Sequence, residues 1–137
     1  MVTYGTITPL LDDELRSATD LDLQTYDALL HVYESGEPGI RMTDLAQKVV
    51  LSKSGLTTLV DRLEERSLLR RIPDPDDRRA IRITLTERGS ESFRRAADIH
   101  VAGIEKYFTD RVTVDEAEVV ADVLERILRD IGSTGPW

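Results

Sequence analysis

Pro73-Asp74-Pro75-Asp76-Asp77 separates two short apolar stretches, Leu69 to Ile72 and Ile81 to Leu85, in a chain that otherwise reads as helix. Two prolines lock φ and remove backbone donors, and the aspartates favour turns, so no helix or central strand can run through this segment. Ile81, Ile83 and Leu85 alternate with Arg82 and Thr84, the period of a half-buried strand. The segment therefore predicts a β-hairpin. A single hairpin is not stable alone in water, so this one must lie on a helical body. The expected fold class is mainly α with a small β-hairpin.

The helical body reads as six segments. Leu10, Leu11, Leu15 and Ala18 predict a short first helix with Pro9 near its start. A second runs from about Asp22 to Ser35, with Leu23, Tyr26, Leu29, Leu30 and Tyr33 on one stripe. Gly36, Pro38 and Gly39 end it. Thr43 is expected to cap a short third helix bearing Leu45, Ala46 and Val49. Ser52 is expected to cap a fourth, with Leu56, Leu59, Val60 and Leu63 inward. Beyond the hairpin, a long helix runs from Thr86 to about Phe108. A last helix covers about Val114 to Ile131, with Ala117, Val120, Leu124, Ile127, Leu128 and Ile131 on one face. The Gly132-Ser133-Thr134-Gly135 tail is expected to fray.

Helices three and four, followed by the hairpin, have the order of a helix-turn-helix with a β-wing. Such a unit needs two short helices locked by a small shared core, which Leu45, Val49, Leu51, Leu56 and Leu59 supply. Small Ala46 stands where the helices must approach closely. The outward positions of the fourth helix are Lys53, Ser54, Gly55, Thr57, Thr58, Asp61 and Arg62. Small hydroxyl side chains would let it enter a major groove, and Lys53 and Arg62 would reach phosphates or guanine edges. An ordinary helical hairpin with a polar face has the same spacing. The hairpin tip adds Arg78 and Arg79, flanked by Arg70, Arg71 and Arg82, and narrow minor grooves attract such guanidinium groups. Asp77, unfavourable beside a polyanion, makes sense as the bidentate partner of one of these arginines.

Net charge points the other way at first. The 137-residue chain carries −8. Between Arg41 and Arg82, however, ten Lys/Arg stand against seven Asp/Glu, while the remainder holds eight against nineteen. The basic middle lies inside an acidic envelope, and charge by itself decides nothing. No cysteine is present, which excludes disulfides, thiolate zinc sites and thiol redox switches. With two histidines only, a metal site would have to recruit carboxylates, and no metal or other cofactor is expected. No nucleophile–base set or phosphate loop points to an enzyme. Neither a signal peptide nor a membrane span is expected, so the predicted location is cytoplasmic.

With these residues in view, the chain resembles the MarR (multiple antibiotic resistance regulator) family of winged-helix transcription factors. The resemblance rests on Met42-Thr43-Asp44-Leu45-Ala46 and on Leu51-Ser52-Lys53-Ser54-Gly55-Leu56-Thr57-Thr58-Leu59-Val60-Asp61-Arg62-Leu63-Glu64. It continues through Leu68-Leu69-Arg70-Arg71 and Asp74-Pro75-Asp76-Asp77-Arg78-Arg79 to Leu85-Thr86-Glu87-Arg88-Gly89. It implies that Arg79 is the minor-groove arginine and Asp77 its orienting partner. It also implies that Ser54, Thr57, Thr58 and Arg62 lie on the major-groove face. One departure is visible: Ser67 stands where the family usually has Gly, which costs more if the backbone is left-handed there.

The implied organisation has N-terminal helices in 1–36, a winged helix-turn-helix DNA-binding lobe in 37–85 and C-terminal dimerisation helices in 86–137. Apolar faces on the first and last two helices either close the monomer's own core or pair with a second copy. The resemblance favours a homodimer that binds double-stranded DNA as a palindrome-specific, ligand-responsive repressor. A small-molecule effector between dimer helices and DNA-binding lobe would find Arg16, Tyr26, His31, Tyr33, His100 and Tyr107 as candidate liners. The competing reading is a winged-helix dimer used only for protein interaction. It predicts apolar anchors on the outward face of the fourth helix, where Lys, Ser, Thr and Arg stand instead.

Overall fold

Leu15, Leu29, Leu45, Leu56, Leu63, Leu69 and Ile83 are fully buried, and they come from the first four helices and both strands of the hairpin. The computed structural model describes residues 2–132, with side chains from 5 to 129. Its elements are α1 (Val2–Ala18), α2 (Leu23–Ser35), β1 (Ile40–Arg41), α3 (Met42–Lys48), α4 (Lys53–Glu65), β2 (Leu69–Pro73) and β3 (Ile81–Leu85). They are followed by α5 (Glu87–Tyr107), a 3-10 turn (Thr109–Arg111) and α6 (Val114–Gly132). The expected mainly helical winged fold is the one observed, and the chain divides into two compact units after Val101. Of the tail expected to fray from Gly132, Gly132 itself is the last residue of α6, and the rest, like the side chain of Ile131, lies outside the described residues.

Three features differ from expectation for identifiable reasons. Helix α1 runs through Pro9 rather than starting near it, forgoing the bond that an N–H there would make to the Gly5 carbonyl. Thr43 does not cap α3. Arg41 occupies that position with no side-chain cap, because Ile40 and Arg41 pair with Ile83 and Arg82 as a third strand. The sheet order is β1-β3-β2, antiparallel throughout, so Ile83 is paired on both sides. Gly39 makes this possible: its φ is +95° and a Cβ there would overlap the Ile83 carbonyl oxygen. The alternation along β3 also breaks at its ends, with Thr84 buried and Ile81 exposed where the hairpin leaves the core.

Local chemistry sets the remaining ends. Asp22 caps α2 by accepting the Thr25 N–H at 2.7 Å. At the end of α4 the Leu68 N–H reaches the Leu63 carbonyl (2.9 Å) and the Ser67 N–H the Glu64 carbonyl (2.8 Å), a Schellman closure. Ser67 is the left-handed residue this motif requires, with φ of 58°. Thr86 then accepts the Gly89 N–H (2.9 Å) while donating to the Ser67 carbonyl (2.6 Å), so it caps α5 and ties it to the end of α4. A Cβ at Gly89 would overlap the Leu68 carbonyl. The Leu85-Thr86-Glu87-Arg88-Gly89 motif is therefore the joint between wing and long helix.

In the unit after Val101, Thr113 and Glu116 form a capping box at the start of α6. The Glu116 carboxylate accepts the Thr113 N–H at 2.8 Å. Val120, Leu124, Ile127 and Leu128 on α6 are exposed. Among the described residues no helix is long and apolar enough to cross a membrane.

The Ser67 conformation gives a direct test. A non-glycine residue in this region costs about 1 kcal/mol, part of which glycine returns as unfolded-chain entropy. Ser67→Gly is expected to stabilise the protein by roughly 0.5–1 kcal/mol in urea denaturation. A loss of stability would show that the Ser67 side chain contributes more than its backbone costs.

Candidate nucleic-acid interface

Helix α4 buries Leu56, Leu59, Val60 and Leu63 and leaves Lys53, Ser54, Thr57, Thr58 and Arg62 exposed. Ser52 caps it by accepting the Gly55 N–H at 3.1 Å. The Thr57 and Thr58 hydroxyls donate to the Lys53 and Ser54 carbonyls, each at 3.0 Å, which holds them against the helix with their methyl groups and lone pairs outward. The N-terminal half of α4 is thus a narrow, polar ridge carrying one cation. Arg62 lines one groove with Ser54, Gly55 and Thr58, and its Nη2 also reaches α2, donating to Thr25 Oγ1 at 3.3 Å.

The wing is organised by a residue that turn chemistry alone did not single out. Asp74 has a fully buried side chain, and its Oδ2 accepts from Arg41 Nε at 2.7 Å and Arg82 Nε at 2.8 Å. Its Oδ1 accepts the N–H groups of Asp76 (2.9 Å) and Asp77 (3.1 Å). Arg82 also donates to the Gly39 carbonyl at 2.7 Å. The carboxyl is held well below the ordinary carboxylate range, chiefly by the Arg41 hydrogen bond and also by the Asp76 N–H, Arg82 and the Asp77 N–H, against its own desolvation. One carboxylate thereby joins all three strands and the tip. Nothing in local sequence pairs Asp74 with Arg41, 33 residues away.

Asp77 plays a smaller part than the expected bidentate partner. It accepts the Arg79 backbone N–H at 3.0 Å rather than the guanidinium, and its own carbonyl accepts the Ala80 N–H at 2.9 Å. It shapes the tip through the main chain. Arg78 and Arg79 are exposed at that tip and Arg70 on β2, whereas Arg71 and Arg82 turn inward. Arg71 bridges β2 to α4: its Nη2 lies 2.6 Å from Asp61, and its backbone N–H donates to Glu64 at 3.1 Å. That N–H first, and the Arg71 guanidinium next, lower the Glu64 carboxyl. Asp61, read as outward-facing, is thus a strut between helix and wing.

The candidate effector liners separate. Arg16, Tyr26 and His100 line one cleft of about 800 Å³ with Asp12, Leu30 and Val49. The Tyr26 and His100 rings lie 4.6 Å apart, and burial lowers the His100 pKa. His31 and Tyr33 are elsewhere on α2. His31 sits between Asp27 and Glu34, and Tyr33 packs its ring 4.6 Å from Phe93. Tyr107 belongs to the unit after Val101, with the Lys106 ammonium 4.6 Å from its ring centre.

Asp74 yields the pH dependence. Its folded pKa is depressed, so its stabilisation is complete above its unfolded value, about 4, and is lost as pH falls further. Asp74→Asn is expected to lower the Tm at neutral pH, and its deficit relative to the parent should shrink below about pH 4. An equal Tm at neutral pH would remove Asp74 from its structural role.

Comparison with known proteins agrees with this geometry. A MarR family model matches residues 19–80. The HTH-type transcriptional regulator PecS of Dickeya dadantii is 31% identical over 72% of this chain and 62% of its own length. The curated regulators YhbI of Bacillus subtilis and PecS are thus matched over less than two thirds of their lengths, 49% and 62% respectively. Among solved structures, AbsC, a MarR family transcriptional regulator from Streptomyces coelicolor, is 30% identical with a TM-score of 0.87, covering 96% of this chain and 88% of that one. Sco3205 from the same organism, a MarR family regulator in complex with DNA, is 27% identical with a TM-score of 0.85, covering 93% and 80%. The proteins it resembles are transcriptional regulators, not enzymes, and this chain belongs to the MarR family.

Proposed function

We propose that this protein is a cytoplasmic, homodimeric, sequence-specific DNA-binding regulator that represses from a palindromic operator and responds to a small-molecule ligand. The observation that carries the reading is the pairing of two surfaces. A polar ridge of Lys53, Ser54, Thr57 and Thr58 on α4 stands on the same three-stranded unit as exposed Arg78 and Arg79. The ridge suits a major groove and the wing arginines suit the adjacent minor groove, where narrow walls concentrate negative potential. Asp77 acts as a shaper of the wing tip, and Arg62 at the margin of the ridge is placed to meet backbone phosphate. The DNA complex of Sco3205 supports nucleic acid as the partner.

Dimerisation belongs to segments 1–36 and 86–137, flanking a DNA-binding lobe in 37–85. Its support is the exposed apolar stripe Val120, Leu124, Ile127 and Leu128, which water solvates poorly and a second copy would cover. Two lobes then read half-sites about one helical turn apart, roughly 34–36 Å. The cleft lined by Arg16, Tyr26 and His100 has the size of a small-ligand site and presents one guanidinium beside two aromatic rings. Because Arg16 is already paired with Asp12 and Asp22, the two rings are the recognition element, and a planar aromatic effector matches that chemistry.

Operator affinity is expected to fall steeply with salt as counterions are released from neutralised phosphates. Arg79→Ala should cost about 1–3 kcal/mol of binding while sedimentation still reports a dimer. A flat salt response in fluorescence anisotropy, or unchanged affinity in that variant, would refute the reading of ridge and wing.

A further inference from the structure

Four arginines converge at a place remote from the α4 ridge. Arg16 at the end of α1, Arg66 at the C-cap of α4, and Arg88 and Arg95 on α5 line a cleft of about 460 Å³, together with Ser92 and Glu91. The joint described above creates it. Gly89 allows the first turn of α5 to press on the Leu68 carbonyl, which brings Arg88 beside the end of α4. Arg88, Ser92 and Arg95 follow at helical spacing and share one face of α5.

The guanidinium groups are incompletely matched. Arg16 is paired with Asp12 at 2.7 Å and Asp22 at 3.5 Å. Arg66 spends one donor on the Asp20 carbonyl, at 3.2 Å. The guanidinium groups of Arg88 and Arg95 are exposed and make no ion pair or hydrogen bond with the described residues. With Arg16 neutralised by its own partners, Arg66, Arg88 and Arg95 face the two carboxylates that line the cleft, Asp20 and Glu91, so the unmatched positive charge is local to the α4–α5 side in a chain of net −8. Each guanidinium is a planar fork that takes a phosphate or carboxylate through two donors. A lone carboxylate satisfies one fork, whereas forks from α4 and α5 together call for at least two linked anionic groups. The volume falls in the range of small-ligand sites. Arg66 lies thirteen residues beyond Lys53, about 20 Å along α4, so a ligand here is not one met by the N-terminal ridge.

We propose that this cleft is a binding site for a small polyphosphate anion of the di- or triphosphate class, separate from the DNA-facing surface. Occupation ties the C-terminal end of α4 to α5 through Arg66, Arg88 and Arg95. The proposal does not depend on the operator reading, because its primary readout is anion binding by the free protein.

Isothermal titration of the full chain with inorganic pyrophosphate and with tripolyphosphate, at low ionic strength, is the experiment. One site per chain is expected, with tripolyphosphate the tighter ligand. The exposed double substitution Arg88→Gln/Arg95→Gln should weaken binding by roughly tenfold or more, and the corresponding double lysine variant should recover only part of it. Lys53→Ala should leave it unchanged. Absence of binding at millimolar pyrophosphate, equal binding by the double glutamine variant, or loss of binding in Lys53→Ala would each overturn the proposal. So would a double glutamine variant whose main defect is weaker DNA binding with a shallower salt dependence, since the cleft would then be a contact for DNA phosphates.

Discussion

A buried carboxylate governs the architecture of the candidate interface. Asp74 is withdrawn from water, which would be costly for an unpaired charge, and its position is tolerated because two guanidinium groups and two backbone N–H groups converge on it. Removing any of these partners leaves charge or donors unsatisfied, so the wing has one low-energy arrangement rather than several. Because Arg41 comes from β1 and Arg82 from β3, the same carboxylate also fixes how α3, which starts at Met42, leaves the sheet. The tip arginines are free to meet a ligand because other arginines are committed to structure.

The second constraint is the way α4 ends. A Schellman closure through Ser67, a cap by Thr86 and the bare face of Gly89 join the recognition helix to the wing and to α5 within a few residues. Arg71 adds a strut from β2 to Asp61 and Glu64. Ion pairs as exposed as these are individually worth little. Their value lies in orientation, since they fix the angle between the surface that suits a major groove and the one that suits a minor groove.

Much of this was legible in the sequence, and the parts that were not share a cause. The helices, the hairpin and the inward stripe of α4 follow from periodicity and turn chemistry, which are local. Strand β1 is two residues long and exists only because Ile83 offers it an edge, so no pattern in Ile40-Arg41 announces it. Asp74 looked like one more turn aspartate, since its partners Arg41 and Arg82 are brought to it by the sheet. Charge makes Asp77 the partner of one of the tip arginines and the family resemblance makes that arginine Arg79, but the tight turn delivers the backbone N–H of Arg79 to it rather than the guanidinium. Of the cleft liners, Arg16, Tyr26 and His100 come together, whereas His31 lies at another helical phase of α2 and Tyr33, on the same face as Tyr26 but two turns further along, packs on Phe93 instead.

The central claim is that one rigid unit presents a major-groove ridge and a minor-groove arginine side by side. Chemical footprinting on a genomic fragment bound by the protein tests it most directly, with guanine-N7 methylation reporting the major groove and hydroxyl radicals the minor groove. The account predicts two half-sites about one helical turn apart, each with N7 protection flanked by minor-groove protection. Arg79→Ala should erase only the flanking minor-groove protection. A footprint confined to one groove, or one in which Arg79→Ala removes the N7 protection and spares the minor-groove signal, would contradict it.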